Sequence, residues 1–159
     1  MNSTIKIILL LVFFFALPSI SLAQCNEYTK KECIPQLTPY TFNGQLNAAV
    51  LSEGETAELQ LTFYKDQEYR ILVKGEKNLG NIHFQLFDTD YNLLYDNADE
   101  NYTRTWDFMV ESTDDFIIRV VVPESKTKQD IQKVKHNIES GCVSILIGFR
   151  AFGSRTIFK

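Results

Sequence analysis

An apolar side chain at every second position, repeated over several short runs, constrains this chain more than any other feature. Ala57, Leu59, Leu61 and Phe63 alternate with Glu58, Gln60 and Thr62. Tyr69, Ile71 and Val73 alternate with Arg70 and Lys74; Ile82, Phe84 and Leu86 with His83 and Gln85; Trp106, Phe108 and Val110 with Thr105, Asp107 and Glu111. Successive side chains of an extended strand point to opposite faces, so each run has one apolar face and one wet face. A slip of one residue would turn the aromatic face into water, which specifies the register. Two further runs, Phe116 to Val122 and Val143 to Phe149, are apolar at nearly every position and read as central strands or strands covered on both sides. Polar turns at Lys65-Asp66-Gln67, Lys74 to Asn78, Asp88 to Asn92 and Ser112 to Asp115 separate the runs. The expected fold is an all-β, antiparallel, jelly-roll-like sandwich of about seven or eight strands over residues 40–150. Asn43-Gly44, near its start, marks either a tight turn or a bulge.

The flanking segments differ. Lys6, the apolar run Ile7 to Leu17, the breaker Pro18 and Ser21-Leu22-Ala23 have the layout of a secretory signal over residues 1–23. The apolar run, about eleven residues, is short of the roughly 20 that cross a bilayer, so no membrane span is expected after cleavage. Residues 24–39 read as an irregular lead-in, because Pro35 and Pro39 disfavour a helix or central strand. Residues 125–141 are highly charged. Ile131, Val134 and Ile138 recur at three- and four-residue steps there, which fits a solvated loop or a short amphipathic helix near 129–138. Residues 151–159 form a C-terminal tail.

Removing the leader takes away one of the 16 basic residues and none of the 20 acidic ones, leaving a net charge near −5. That balance argues against a nucleic-acid ligand. Export to a periplasm, cell surface or extracellular space favours disulfides, and the three cysteines allow one internal bridge. Cys25–Cys33 would staple the lead-in to itself, and Cys33–Cys142 would tie it to the last strand. Leu22-Ala23-Gln24-Cys25 also resembles a bacterial lipoprotein box, although Gln24 stands where Gly, Ala or Ser is usual.

Gly54-Glu55-Thr56-Ala57-Glu58-Leu59, Tyr69-Arg70-Ile71-Leu72-Val73, the run Leu79 to Asp88, Leu93-Leu94-Tyr95-Asp96-Asn97, Trp106-Asp107-Phe108 and Gly141-Cys142-Val143 together resemble a group of uncharacterised exported proteins of Bacteroidetes-type bacteria. Their strand order is similar to that of bacterial pre-peptidase C-terminal (PPC-like) domains. The resemblance spans roughly residues 25–150 and implies a secreted β-sandwich. It implies no activity.

Candidate chemistry is sparse. Asp88, Asp90 and Asn92 offer oxygens at alternate positions, as a calcium loop does, but Leu93 stands where such a loop turns on glycine. Asp and Asn closing their own backbone turn account equally for the pattern. No cofactor is otherwise expected. Neither His83 nor His136 accompanies a nucleophile motif, so catalysis is not expected. Tyr91, Tyr95 and Tyr102 lie around the loops after Asp88 and are the expected ligand-binding residues, for a protein or a glycan; Trp106 reads as core. Three functions fit: an exported binding or accessory module, a structural envelope component held by assembly contacts or by a lipid on Cys25, and an unrecognised hydrolase. Oligomeric state is not legible.

Overall fold

A computed structural model of the chain describes residues 20–124 and 138–151. Residues 1–19 of the expected leader, residues 125–137 with most of the segment expected to be a helix or loop near 129–138, and the tail beyond Ala151 lie outside the described residues.

Among the described residues nine antiparallel strands form two stacked sheets. They are β1 (Thr41–Phe42), β2 (Asn47–Ser52), β3 (Thr56–Phe63), β4 (Gln67–Gly75), β5 (His83–Asp88), β6 (Leu93–Asp96), β7 (Thr105–Met109), β8 (Asp114–Val121) and β9 (Ser140–Ala151). One sheet has the order β1-β9-β4-β7, with β2 also on β9; the other is β3-β8-β5-β6. The all-β sandwich holds, and the two continuously apolar runs are the central strands β8 and β9. β1 and β2 share one partner strand: Phe42 faces Gly148 and Asn47 faces Ile145. Between these pairs, four residues on one side therefore oppose two on the other. Asn43-Gly44 is the bulge of the two alternatives, with Gly44 at φ 88°.

The alternating apolar residues meet between the sheets. Phe63, Ile71, Phe84, Leu86, Ile118 and Val120 are fully buried. An aromatic chain crosses this core, with Phe63 edge-on to Tyr69 at 4.9 Å, and Trp106 stacked on Phe108 at 4.5 Å and on Tyr95 at 4.4 Å.

The lead-in is helical rather than irregular. Helix α1 (Ile20–Tyr28) continues as a π-turn over Thr29–Cys33 and a 3-10 turn over Ile34–Leu37. Pro35 falls in the first positions of that last turn, where its missing N–H costs nothing, so it does not break the segment. Cys25, Thr29, Cys33 and Leu37 recur every four residues and form one buried stripe along the outer face of β9. Four helical residues rise about 6 Å and two strand residues about 6.7 Å, so the two repeats stay in step. Cys25 bonds to Cys142, and Thr29 Oγ1 lies 2.7 Å from Ser144 Oγ. Cys33 and Leu37 pack on Leu146 and Leu72. This second core is why β9 is apolar on both faces.

Both expected disulfides are thereby corrected. Residues 25 and 33 are two helical turns apart, about 12 Å, well beyond bridging distance. Cys33 instead sits as a buried thiol beside Ser144. The Cys25–Cys142 bond also occupies the sulfur that a lipid anchor would need.

Arg70 pins the lead-in from below. It makes paired 2.7 Å bonds to both oxygens of Asp107, donates to the Thr38 carbonyl at 2.9 Å, and lies 4.6 Å over the Tyr40 ring. Gly148 is needed at this contact: a Cβ there would stand 2.7 Å from Tyr40 Cβ and 3.3 Å from Leu37 Cδ2. Gly148→Ala is therefore expected to cost about 1–3 kcal/mol by overpacking, read as a lower urea midpoint at unchanged slope. An unchanged midpoint would mean that the lead-in does not press on β9.

Candidate functional site

The strands β6 and β7 edge opposite sheets on the same side of the sandwich, and the stack of Tyr95 on Trp106 bridges them. Between Asp96 and β7 the chain must cross from one sheet to the other. It does so through a 3-10 turn (Asn97–Glu100) and two consecutive left-handed residues, Asn101 and Tyr102. Asn97 clips this crossover to the core. Its side chain is buried, accepts from the Phe84 N–H at 2.9 Å, and donates to the Ile82 and Thr103 carbonyls at 3.0 Å each.

Two of the three expected ligand tyrosines are on the surface. Tyr91 is 53% exposed and Tyr102 42%. They do not share one loop end, because the 88–92 turn and the crossover lie at opposite ends of β6. Tyr91 leans over the outer face of the four-stranded sheet, with its hydroxyl 3.2 Å from Glu58 and its ring 5.6 Å from the Arg119 guanidinium. Tyr102 stands edge-on to His83 at 6.1 Å. Tyr95 is corrected: it points inward from β6, is buried between Phe84 and Trp106, and donates its hydroxyl to Glu100 at 3.0 Å. It packs rather than recruits. Trp106 combines both roles, half-buried in the aromatic chain while it lines a surface cleft.

That cleft, about 330 Å³, opens between β6 and β7 over Trp106, Phe108 and Phe116, with Leu94 and Met109 at its lips and Glu111 and Asp114 on its rim. Leu94 is 47% exposed and Met109 49%. Among the described residues eight large apolar side chains are exposed, and two of them, Leu94 and Met109, line this cleft. Charge is equally uneven. Residues 88–115 contain nine carboxylates and one cation, Arg104, whereas the whole chain has a net charge of −4. This segment therefore carries a net −8, and the remainder a net +4.

The expected calcium residues form a closed turn. Asp88 Oδ1 accepts from the Asp90 and Asn92 N–H groups at 2.9 and 2.8 Å, and its Oδ2 accepts from the Asn92 side chain at 2.8 Å. Among the described residues no three His, Cys, Asp or Glu side chains converge as metal ligands would. His83 Nε2 lies 2.8 Å from Asp96 Oδ1, while Asp96 Oδ2 accepts from Gln85. Among the described residues no serine or cysteine bonds to that histidine.

Three of these carboxylates titrate low. The Asn92 amide, with the Asn92 and Asp90 N–H groups, holds Asp88 below its ordinary range. Burial opposes ionisation of Asp96 and Asp107, but it is outweighed, at Asp96 by the Ala98 N–H, Gln85 and His83, and at Asp107 by Arg70. A depressed folded-state value stabilises the protein above the unfolded value of 3.8, and that stability is lost as pH falls through the lower folded values. Melting temperature should therefore hold from neutrality to about pH 5 and fall steeply below about pH 4. Asp107→Asn should flatten part of that fall, and a profile identical to the parent's would remove Asp107 from the account.

Sequence reasoning missed the cleft because its wall is made by edge strands of two different sheets, and missed the Asn97 clip because buried asparagine has no periodic signature. The four-residue stripe from Cys25 to Leu37 was visible in the chain, but two cysteines and a threonine do not read as an apolar face.

No family model and no curated protein sequence matches the chain. Among solved structures it is similar to PliG of Aeromonas hydrophila, a periplasmic inhibitor of g-type lysozyme, at 11% identity and TM-score 0.48, covering 70% of this chain and 89% of that one. PliG of Salmonella Typhimurium is similar at 12% identity and TM-score 0.40, covering 67% and 86%. A mutant of the Escherichia coli PliG is similar at 12% and 0.37, covering 69% and 90%. Likeness at this level says nothing of a partner.

Proposed function

We propose that the protein is an exported, non-enzymatic binding module that docks a basic protein on its β6–β7 side. The observation that carries this reading is the coincidence of exposed Leu94 and Met109 with an open aromatic cleft rimmed by the carboxylates of Glu111 and Asp114. Contiguous exposed apolar surface ringed by polar groups is the usual mark of a protein interface. The acidic rim selects a cationic partner and speeds its approach. The partner would insert an apolar side chain over Trp106, with lysines or arginines meeting Glu111 and Asp114. The leader-like first 23 residues support export. A lipid-held envelope component is the weaker alternative, because Cys25 is engaged with Cys142.

Binding to a panel of basic secreted proteins, g-type lysozyme among them, tests the reading by calorimetry at two salt concentrations. A binder should weaken as salt rises, and Glu111→Lys with Asp114→Lys should cost at least about tenfold in affinity. A binder indifferent to both salt and the charge reversal would overturn the assignment, as would a panel with no binder at all.

A further inference from the structure

We infer that a second cleft, on the opposite side of the sandwich, is a binding site for a short neutral saccharide. It opens between the β1–β2 bulge and the ends of β3 and β4, and at about 680 Å³ is twice the volume of the cleft over Trp106. That size suits a small ligand.

Its lining has an unusual chemistry for this protein. Elsewhere the polar side chains are largely charged and paired with one another, as in Arg119 with Glu58 and Arg70 with Asp107. Here the polar groups are mostly neutral amides: Asn43, Gln45, Gln60 and Gln67. The side-chain amides of Gln45, Gln60 and Gln67 have no hydrogen-bond partner among the described residues. An amide both donates and accepts, and so does a sugar hydroxyl, so the two sets match without a net charge. The one carboxylate among the described lining residues, Asp115, has one oxygen engaged by the Thr62 hydroxyl at 2.5 Å. Its other oxygen can take a charge-assisted bond from a further hydroxyl. Phe149 supplies an apolar wall for the C–H face of a ring.

Other ligand classes fit worse. Among the described residues no lysine or arginine lines the cleft, so a phosphate or carboxylate would meet Asp115 without a counter-charge from them. A purely apolar ligand would strip water from the glutamines and leave them unpaired. The bulge makes the site: Gly44 at φ 88° and the Gln45 N–H bonded to Asn43 Oδ1 fix the loop that carries two of the amides.

The test is a two-dimensional amide NMR titration of the full chain with chitotetraose, cellotetraose, maltotetraose and xylotetraose, taken to millimolar concentration. At least one should shift the side-chain NH2 signals of Gln45, Gln60 and Gln67 saturably. The shift of the Gln45 side-chain signal, which remains observable, should be lost in Gln60→Ala/Gln67→Ala, whose remaining spectrum should match the parent and so exclude misfolding. Uronic-acid oligomers should leave the same signals in place. The inference falls if none of the four sugars moves those amides, if the charged oligomers move them equally, or if the double variant responds like the parent. Charge reversal at Glu111 alone, which lines only the cleft over Trp106, should not alter sugar binding, and this keeps the result independent of the protein-docking one.

Discussion

Reduction of the Cys25–Cys142 disulfide, or its removal as Cys25→Ser/Cys142→Ser, should lower the unfolding free energy by about 3–5 kcal/mol. The bond joins residues 117 apart, so it closes almost the whole described chain into a loop. The unfolded ensemble loses more freedom through a long loop than a short one, and the chain-entropy relation gives about 5 kcal/mol for this length as an upper figure. The native state keeps other holds on the lead-in, because the Tyr28 hydroxyl donates to the Gly75 carbonyl at 2.8 Å and Lys74 reaches the Glu32 carbonyl at 3.0 Å. The fold should therefore survive reduction, but melt on the order of 10 °C lower. Urea unfolding with and without reductant reads the change directly. A loss below about 1 kcal/mol would mean that the bond restrains little.

Asn97→Ala should be nearly as damaging, at about 3 kcal/mol, for a different reason. Three backbone groups, the Phe84 N–H and the Ile82 and Thr103 carbonyls, are satisfied by one buried side chain. Truncation orphans all three at once, and each unsatisfied buried group costs about 1–3 kcal/mol before water enters. Asn97→Asp separates this from a volume effect. It keeps the acceptor for Phe84 N–H, loses both donations and adds a buried carboxylate, so it should be no better tolerated than alanine. Because the clip fixes the crossover that delivers Tyr102 and the start of β7, the alanine variant should also loosen the cleft. Trp106 emission should shift to longer wavelength below the unfolding transition. An Asn97→Asp variant as stable as the parent would remove the hydrogen-bond argument.

The two effects also show where the chain announces its structure and where it does not. Strands β3, β4, β5 and β7 were legible because their side chains alternate against a single core, and burial of every second residue writes itself into the sequence. β8 and β9 were legible as central, since apolar residues on both faces of a strand require cover on both. What covers β9 was not. A helical stripe made of Cys25, Thr29, Cys33 and Leu37 is buried through a disulfide and a hydroxyl pair as much as through apolar area. Hydropathy does not register such contacts. β6 was misread in detail: the register shifts between Leu86 and Phe87, so Leu93 and Leu94 are both exposed while Tyr95 turns inward. A bulge changes the phase of alternation, and from sequence the phase alone decides which tyrosine meets solvent. Of the expected ligand residues, Tyr91 and Tyr102 stand on the surface in a turn and in the crossover, and only Tyr95, on β6, is decided by that phase.

Trp106 is the chain's one tryptophan and lines the docking cleft, so its fluorescence tests the central claim most directly. The titrant is a tryptophan-free basic peptide with a leucine or phenylalanine at its centre, added at low and at moderate salt to the parent and to Leu94→Asp/Met109→Asp. The account predicts a saturable change in Trp106 emission with the parent, weakened by salt and abolished in the double variant. No change with the parent, or the same change in the variant, would contradict it.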